Sequence, residues 1–78
     1  HSSNLYVYPN PVKDEMHIAF AEETSYSLEI RDQIGSIVLS SAKHEQIATI
    51  DVSGLASGIY YADLLIEGRH QLIKFIRH

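Results

Sequence analysis

The chain has no cysteine and no tryptophan, and only two prolines and four glycines among its 78 residues. Without cysteine there is neither a disulfide nor a thiolate metal site, so stability has to come from packing, and the redox compartment is left open. No apolar run approaches the ~18 residues that a helical membrane span needs. A clustered basic face is missing too. Six Lys and Arg stand against ten Asp and Glu, for a net charge of −4, which argues against nucleic acid as a partner. Only Arg69, Lys74 and Arg77 gather, near the end. No secretory leader opens the chain, which begins His1-Ser2-Ser3-Asn4. A piece taken from the C-terminal end of a longer precursor would look like this. Residues 1–4 read as a linker or the remnant of an expression tag, and 5–78 as one domain; His78, like His1, is a candidate leftover.

What is present suits a small globular domain. Apolar residues make up 45% of the chain, too many for a disordered tail. A chain this short buries roughly 60–65% of its unfolded surface, enough for one core and no more. Apolar positions recur with period two, broken at Gly, Pro, Asp and Ser clusters. Strands are predicted at 5–8, 15–20, 25–31, 36–41, 47–52, 59–66 and 70–77. Met16, Ile18 and Phe20 share one face of the second; Tyr26, Leu28 and Ile30 share one face of the third. Ala42-Lys43-His44-Glu45 reads as a polar turn. Seven short strands with short connections suggest an all-β fold, a seven-stranded antiparallel Greek-key β-sandwich of immunoglobulin-like type.

Four local patterns punctuate the strands. Pro9 and Pro11 fix their own φ and bias Tyr8 and Asn10 to extended backbone, so the first strand must stop there, with Asn10 placed to hold a turn. Asp32-Gln33-Ile34-Gly35 fits a hairpin in which Gly35 takes a positive φ. Leu55-Ala56-Ser57-Gly58-Ile59-Tyr60 has the Leu-x-x-Gly-x-Tyr form of a tyrosine corner, in which the Tyr hydroxyl ties back to upstream backbone and Leu plugs the core. Gly58 would supply backbone freedom where the chain enters the next strand, whose inward residues are Tyr60, Ala62, Leu64 and Ile66. In the last strand Leu72, Ile73, Phe75 and Ile76 put apolar side chains on both faces. Ile73 and Phe75 are expected in the core, leaving Leu72 and Ile76 outward with Lys74 between them. On residue types alone, a partner's binding surface and plain burial under a neighbouring domain or loop explain that stripe equally.

Catalytic and metal-binding patterns are not evident. His17, His44 and His70 fall in separate elements with no His-x-His or His-x-x-x-His spacing. Asp14-Glu15 and Glu22-Glu23 sit near turns as solvated charges, not as a pair aimed across a cleft. Ser53 and Ser57 have no local base and no Gly-x-Ser-x-Gly elbow. No catalytic residue, metal or cofactor is expected.

Taken in order, Tyr8-Pro9-Asn10-Pro11-Val12, Asp32-Gln33-Ile34-Gly35, Asp51 to Tyr60, and Lys74-Phe75-Ile76 resemble the C-terminal sorting domain of cargo exported by the type IX (Por) secretion system of Bacteroidetes. The resemblance covers about Leu5 to Arg77. It implies an export address on a larger precursor, not an enzyme. Pro9, Asn10, Pro11, Gly35, Leu55, Gly58 and Tyr60 then fill the family's motif and structural positions. The Lys-hydrophobic final strand, with Leu72, Lys74, Phe75 and Ile76, is the part read by a partner. The implied partners are the outer-membrane secretion machinery, namely a shuttle and a sortase-like protease, and the N-terminal cargo domain of the same precursor. No nucleic acid or small-molecule substrate is implied. The route implied runs through the periplasm and across the outer membrane to the cell surface or medium. A surface sortase-like cut is implied at or upstream of Ser2–Asn4, with the cargo joined to a lipopolysaccharide anchor. One departure is the ending, since members often finish on a basic residue and here His78 follows Arg77. A different class, an immunoglobulin- or fibronectin-III-like accessory binding or spacer module, shares the corner and the strand count but does not explain the proline-asparagine-proline opening.

Overall fold

Nearly every interruption of strand falls at proline, glycine or an Asp that can bond its own backbone. The computed structural model describes residues 5–9 and 11–78. Five strands follow in order: β1 (Leu5–Tyr8), β2 (Glu15–Arg31), β3 (Ile37–Asp51), β4 (Gly58–Ile66) and β5 (Arg69–Arg77). They form one sheet in the order β1-β2-β4-β5, with β3 also paired to β2. Every strand pair is antiparallel.

The strand count is therefore five, a correction to the expected seven. The stretches 15–20 and 25–31 are one strand, β2, and 36–41 and 47–52 are one strand, β3. Ala42-Lys43-His44-Glu45 is not a turn, because it carries the ladder onward, pairing with Ser27, Tyr26, Ser25 and Thr24. That run holds no glycine or proline to break it, and Lys43 and His44 leave polar side chains in water. Continuity does not mean a straight ladder. Between Ala19↔Ile47 and Thr24↔Glu45 the chain takes five steps along β2 against two along β3, an irregularity of the kind that bends and twists a strand pair. β2 changes neighbours across it: its first part pairs with β1 from Phe20 to His17, and its last part pairs with β4 from Ser27 to Arg31. The sheet curls around one face, packed along β2 on either side of the irregularity, while β3 buries only Ala48 and Ile50.

That inner face is the core. Met16, Ile18 and Phe20, then Tyr26, Leu28 and Ile30 from β2, meet Ala48 and Ile50 of β3, Tyr60, Ala62 and Leu64 of β4, and Phe75 of β5. The period-two spacing of these residues is that of a sheet with one face packed and the other wet. Phe20 stands 5.3 Å from Tyr26, and Tyr60 stacks on Phe75 at 5.7 Å between ring centroids. Val12 and Val52, from connections and not strands, are fully buried with them. Tyr26 Oη donates to Glu45 Oε2 at 2.8 Å. Burial, then that carboxylate, pushes the Tyr26 phenol pKa up.

The turns are built from local bonds. Asp32 Oδ1 accepts from the N–H groups of Ile34 and Ser36 at 3.1 and 2.9 Å, and Gly35 closes the loop with φ 92°. A two-residue hairpin, Glu67-Gly68, joins β4 to β5 with both φ positive, 52° and 78°, the geometry that matches strand twist. Asp51 Oδ1 accepts from the Ser53 hydroxyl at 2.7 Å and the Ser53 N–H at 2.9 Å, and these bonds lower its pKa. The corner is formed: Tyr60 Oη donates to Ala56 O at 2.6 Å, and Leu55 packs against the core. Gly58 has φ 157° with open space where a Cβ would stand. That φ is one that residues with a side chain rarely adopt, so the backbone freedom expected of Gly58 is used where the chain enters β4. β1 ends at Tyr8, and a cis Tyr8-Pro9 peptide follows it. Pro11 leads into buried Val12, whereas Asn10 and residues 1–4 lie outside the described residues.

Candidate functional site

Alternation along β5 sorts its side chains into two sets. Gln71, Ile73 and Phe75 stand opposite Leu64, Ala62 and Tyr60, the inward row of β4. His70, Leu72, Lys74 and Ile76 stand opposite Leu65, Asp63, Tyr61 and Ile59, the outward row. Leu72 is 65% exposed and Ile76 46%, with exposed Lys74 between them and Leu65 at 38% across the ladder. Among the described residues Lys74 makes no ion pair or side-chain hydrogen bond. The nearest strand carboxylate is already engaged, since Asp63 Oδ1 lies 3.0 Å from His70 Nδ1. The outward stripe thus leaves a cation unspent by the fold, flanked by two apolar side chains, with a tyrosine ring opposite.

Phe75 does not belong to this stripe. It is 4% exposed and stacked on Tyr60, so it holds the strand from inside and presents nothing to a partner. Its inclusion among the recognition residues is corrected on that ground; Leu72, Lys74 and Ile76 do lie on one face. The motif positions lie elsewhere. Pro9 and Pro11 precede the Val12 contact, Gly35 sits at the far β2–β3 turn, and Leu55, Gly58 and Tyr60 build the corner.

A residue that sequence reasoning noted only as one of three cations gathered near the end anchors the end of β5. Arg77 Nε donates to Val52 O at 2.8 Å and Nη2 to Ser53 O at 3.3 Å, while Nη1 bonds His78 O at 3.0 Å. The same Nη2 lies 3.6 Å from Asp14 Oδ1. Beside it Val12 N–H donates to Ile76 O and His78 N–H donates to Val12 O, both at 2.8 Å, as a parallel bridge. Val52 N–H closes the knot on Asp14 O at 2.9 Å. Only 13% of the Arg77 side chain is exposed. The last strand is therefore locked to the connection before the tyrosine corner. The only sequence signal was an arginine beside an apolar run, which does not reveal partners so far back along the chain.

The three strand histidines have separate partners: His17 Nδ1 lies 3.1 Å from Thr49 Oγ1, its Nε2 3.9 Å from Glu15 Oε1 and its ring stacks on Tyr8, while His44 Nδ1 lies 2.7 Å from Ser25 Oγ and His70 meets Asp63. Asp14, Glu15, Glu22 and Glu23 are exposed.

Comparison with known proteins agrees with this geometry. Residues 6–77 match the secretion system C-terminal sorting domain. No curated protein matches the chain. Among solved structures it is similar to PorZ, described as an essential bacterial surface component of the type-IX secretion system of Porphyromonas gingivalis, with 24% identity and a TM-score of 0.77. The likeness covers 96% of this chain but 11% of that one, and at this identity it shows a shared fold. Since the family match runs from β1 to the end of β5 and takes in the corner, the clamp and the outward stripe, the chain belongs to the C-terminal sorting domains of type IX secretion.

Proposed function

We propose that this domain is the export address of a larger cargo protein, and that the outer-membrane machinery reads it at the outward face of β5. The observation that carries this is the row Leu72, Lys74 and Ile76, exposed and free of internal partners on a strand whose other face is core. Large apolar side chains on either side of an exposed cation are costly decoration for a small domain and fit an interface. The domain is substrate of the machinery and not a catalyst. The cargo reaches the cell surface or medium through the periplasm and outer membrane, and a surface sortase-like protease removes the domain by a cut at or upstream of Ser2–Asn4. We read the fold as the immunoglobulin-like Greek-key sandwich. Support comes from the irregularity that divides β2 into parts with different neighbours, and from the tyrosine corner.

Lys74→Ala tests the face. It should leave stability within ~0.5 kcal/mol, as for other surface changes, yet slow export, because the charge that orients a partner is gone. Pulse-labelled export of wild type and variant, beside their urea midpoints, gives the comparison. Lysines on edge strands also guard against aggregation. Were that the whole role, Lys74→Ala would aggregate while the soluble fraction was exported normally. Unchanged export at unchanged stability would place recognition elsewhere on the domain.

A further inference from the structure

On β5 the exposed side chains and the unpaired backbone belong to the same residues. Val12 N–H donates to Ile76 O, so Ile76 turns its backbone groups away from β4 and toward the other edge. Backbone direction alternates along a strand. Lys74, Leu72 and His70 therefore face the same edge, while Phe75, Ile73 and Gln71 face β4. Among the described residues that edge is met only by Val12, at the C-terminal end. Among the described residues nothing pairs with that edge at His70, Leu72 or Lys74. Its sequence, Arg69-His70-Gln71-Leu72-Ile73-Lys74-Phe75-Ile76-Arg77, has three permanent cations and no carboxylate, in a chain whose net charge is −4.

We propose that the partner binds this strand by strand addition. An extended segment of a partner protein pairs with the backbone of His70, Leu72 and Lys74, lays apolar side chains against Leu72 and Ile76, and sets a carboxylate against Lys74. This rests on β5 being the recognised face and adds how it is recognised. The absence of any carboxylate on β5 selects an acidic occupant. A second copy of the chain fits poorly, because two β5 edges paired antiparallel about Leu72 would set each Lys74 against the other's His70 with no acid to offset either.

Proline at position 72 removes an N–H on the open edge while sparing the ladder to β4. Leu72→Ala removes the same apolar side chain and keeps the N–H. Strand addition predicts export lowered about two- to threefold by Leu72→Ala, and about tenfold further by Leu72→Pro, at similar urea midpoints. If Leu72→Pro folds poorly, His70→Pro against His70→Ala repeats the comparison one backbone repeat away. Equal export within a proline–alanine pair at equal stability overturns strand addition. If Lys74→Ala still lowers export in that case, the recognised face stands and only the mode falls. Normal export of every variant overturns the face itself. Unfolding by both prolines would show that these N–H groups are spent within the fold, and would equally overturn the proposal.

Discussion

Phe75→Ala is expected to cost about 3–5 kcal/mol, the usual loss for an aromatic side chain cut from a packed core. A domain of this size has about 4–12 kcal/mol to lose. The urea midpoint should accordingly fall by about 3 M, or no folded baseline should remain. The size of the effect follows from position. Phe75 is 4% exposed, stacked on Tyr60, and opposite the residue whose hydroxyl makes the corner. Export should fail as well, but only as a consequence of unfolding. That separates Phe75 from its neighbour Lys74, whose loss should impair export in a folded domain. A Phe75→Ala variant within ~1 kcal/mol of wild type that nonetheless failed in export would restore Phe75 as a contact residue.

Arg77→Ala should also be damaging, at about 1.5–3 kcal/mol, because it strips a charge-assisted bond from the part-buried carbonyl of Val52 and a longer, exposed one from Ser53. The contact with Asp14 adds little to this, since that carboxylate is 81% exposed. Arg77→Lys should recover only a small part, as one ammonium cannot reproduce the fork that spans Val52 O and Ser53 O. Amide exchange should show the loss first at Val12 and His78, whose N–H groups form the parallel bridge. An unchanged urea midpoint for Arg77→Ala would mean the clamp is incidental. Arg77, near the end of this chain, thus serves the fold, whereas Lys74 on the same strand faces outward.

How much of this could be read from the sequence depended on distance along the chain. The Asp32–Gly35 turn and the tyrosine corner were legible because their bonds span four residues or fewer. The inward rows of β2, β4 and β5 were legible because period two is a local property. Strand ends were less so. Ala42 to Glu45 is polar on both faces, a pattern shared by a turn and by a strand at a sheet's exposed margin, and only pairing to Thr24–Ser27 decides between them. Val12 and Val52 look like residues of connections, yet both are fully buried, because the Arg77 knot folds those connections over the end of the core. Phe75 carried two readings. Alternation put it inside and the family resemblance put it among the recognised residues; burial follows alternation.

The central claim is that these residues suffice as an export address. Residues 1–78 fused behind a signal peptide and a fluorescent reporter, in a host that owns a type IX secretion system, should carry the reporter to the cell surface or the medium. The measurement is the distribution of fluorescence between periplasm and exterior, with the host's own cargo as the reference. Reporter confined to the periplasm, with the fusion intact and the native cargo exported normally, would contradict the account.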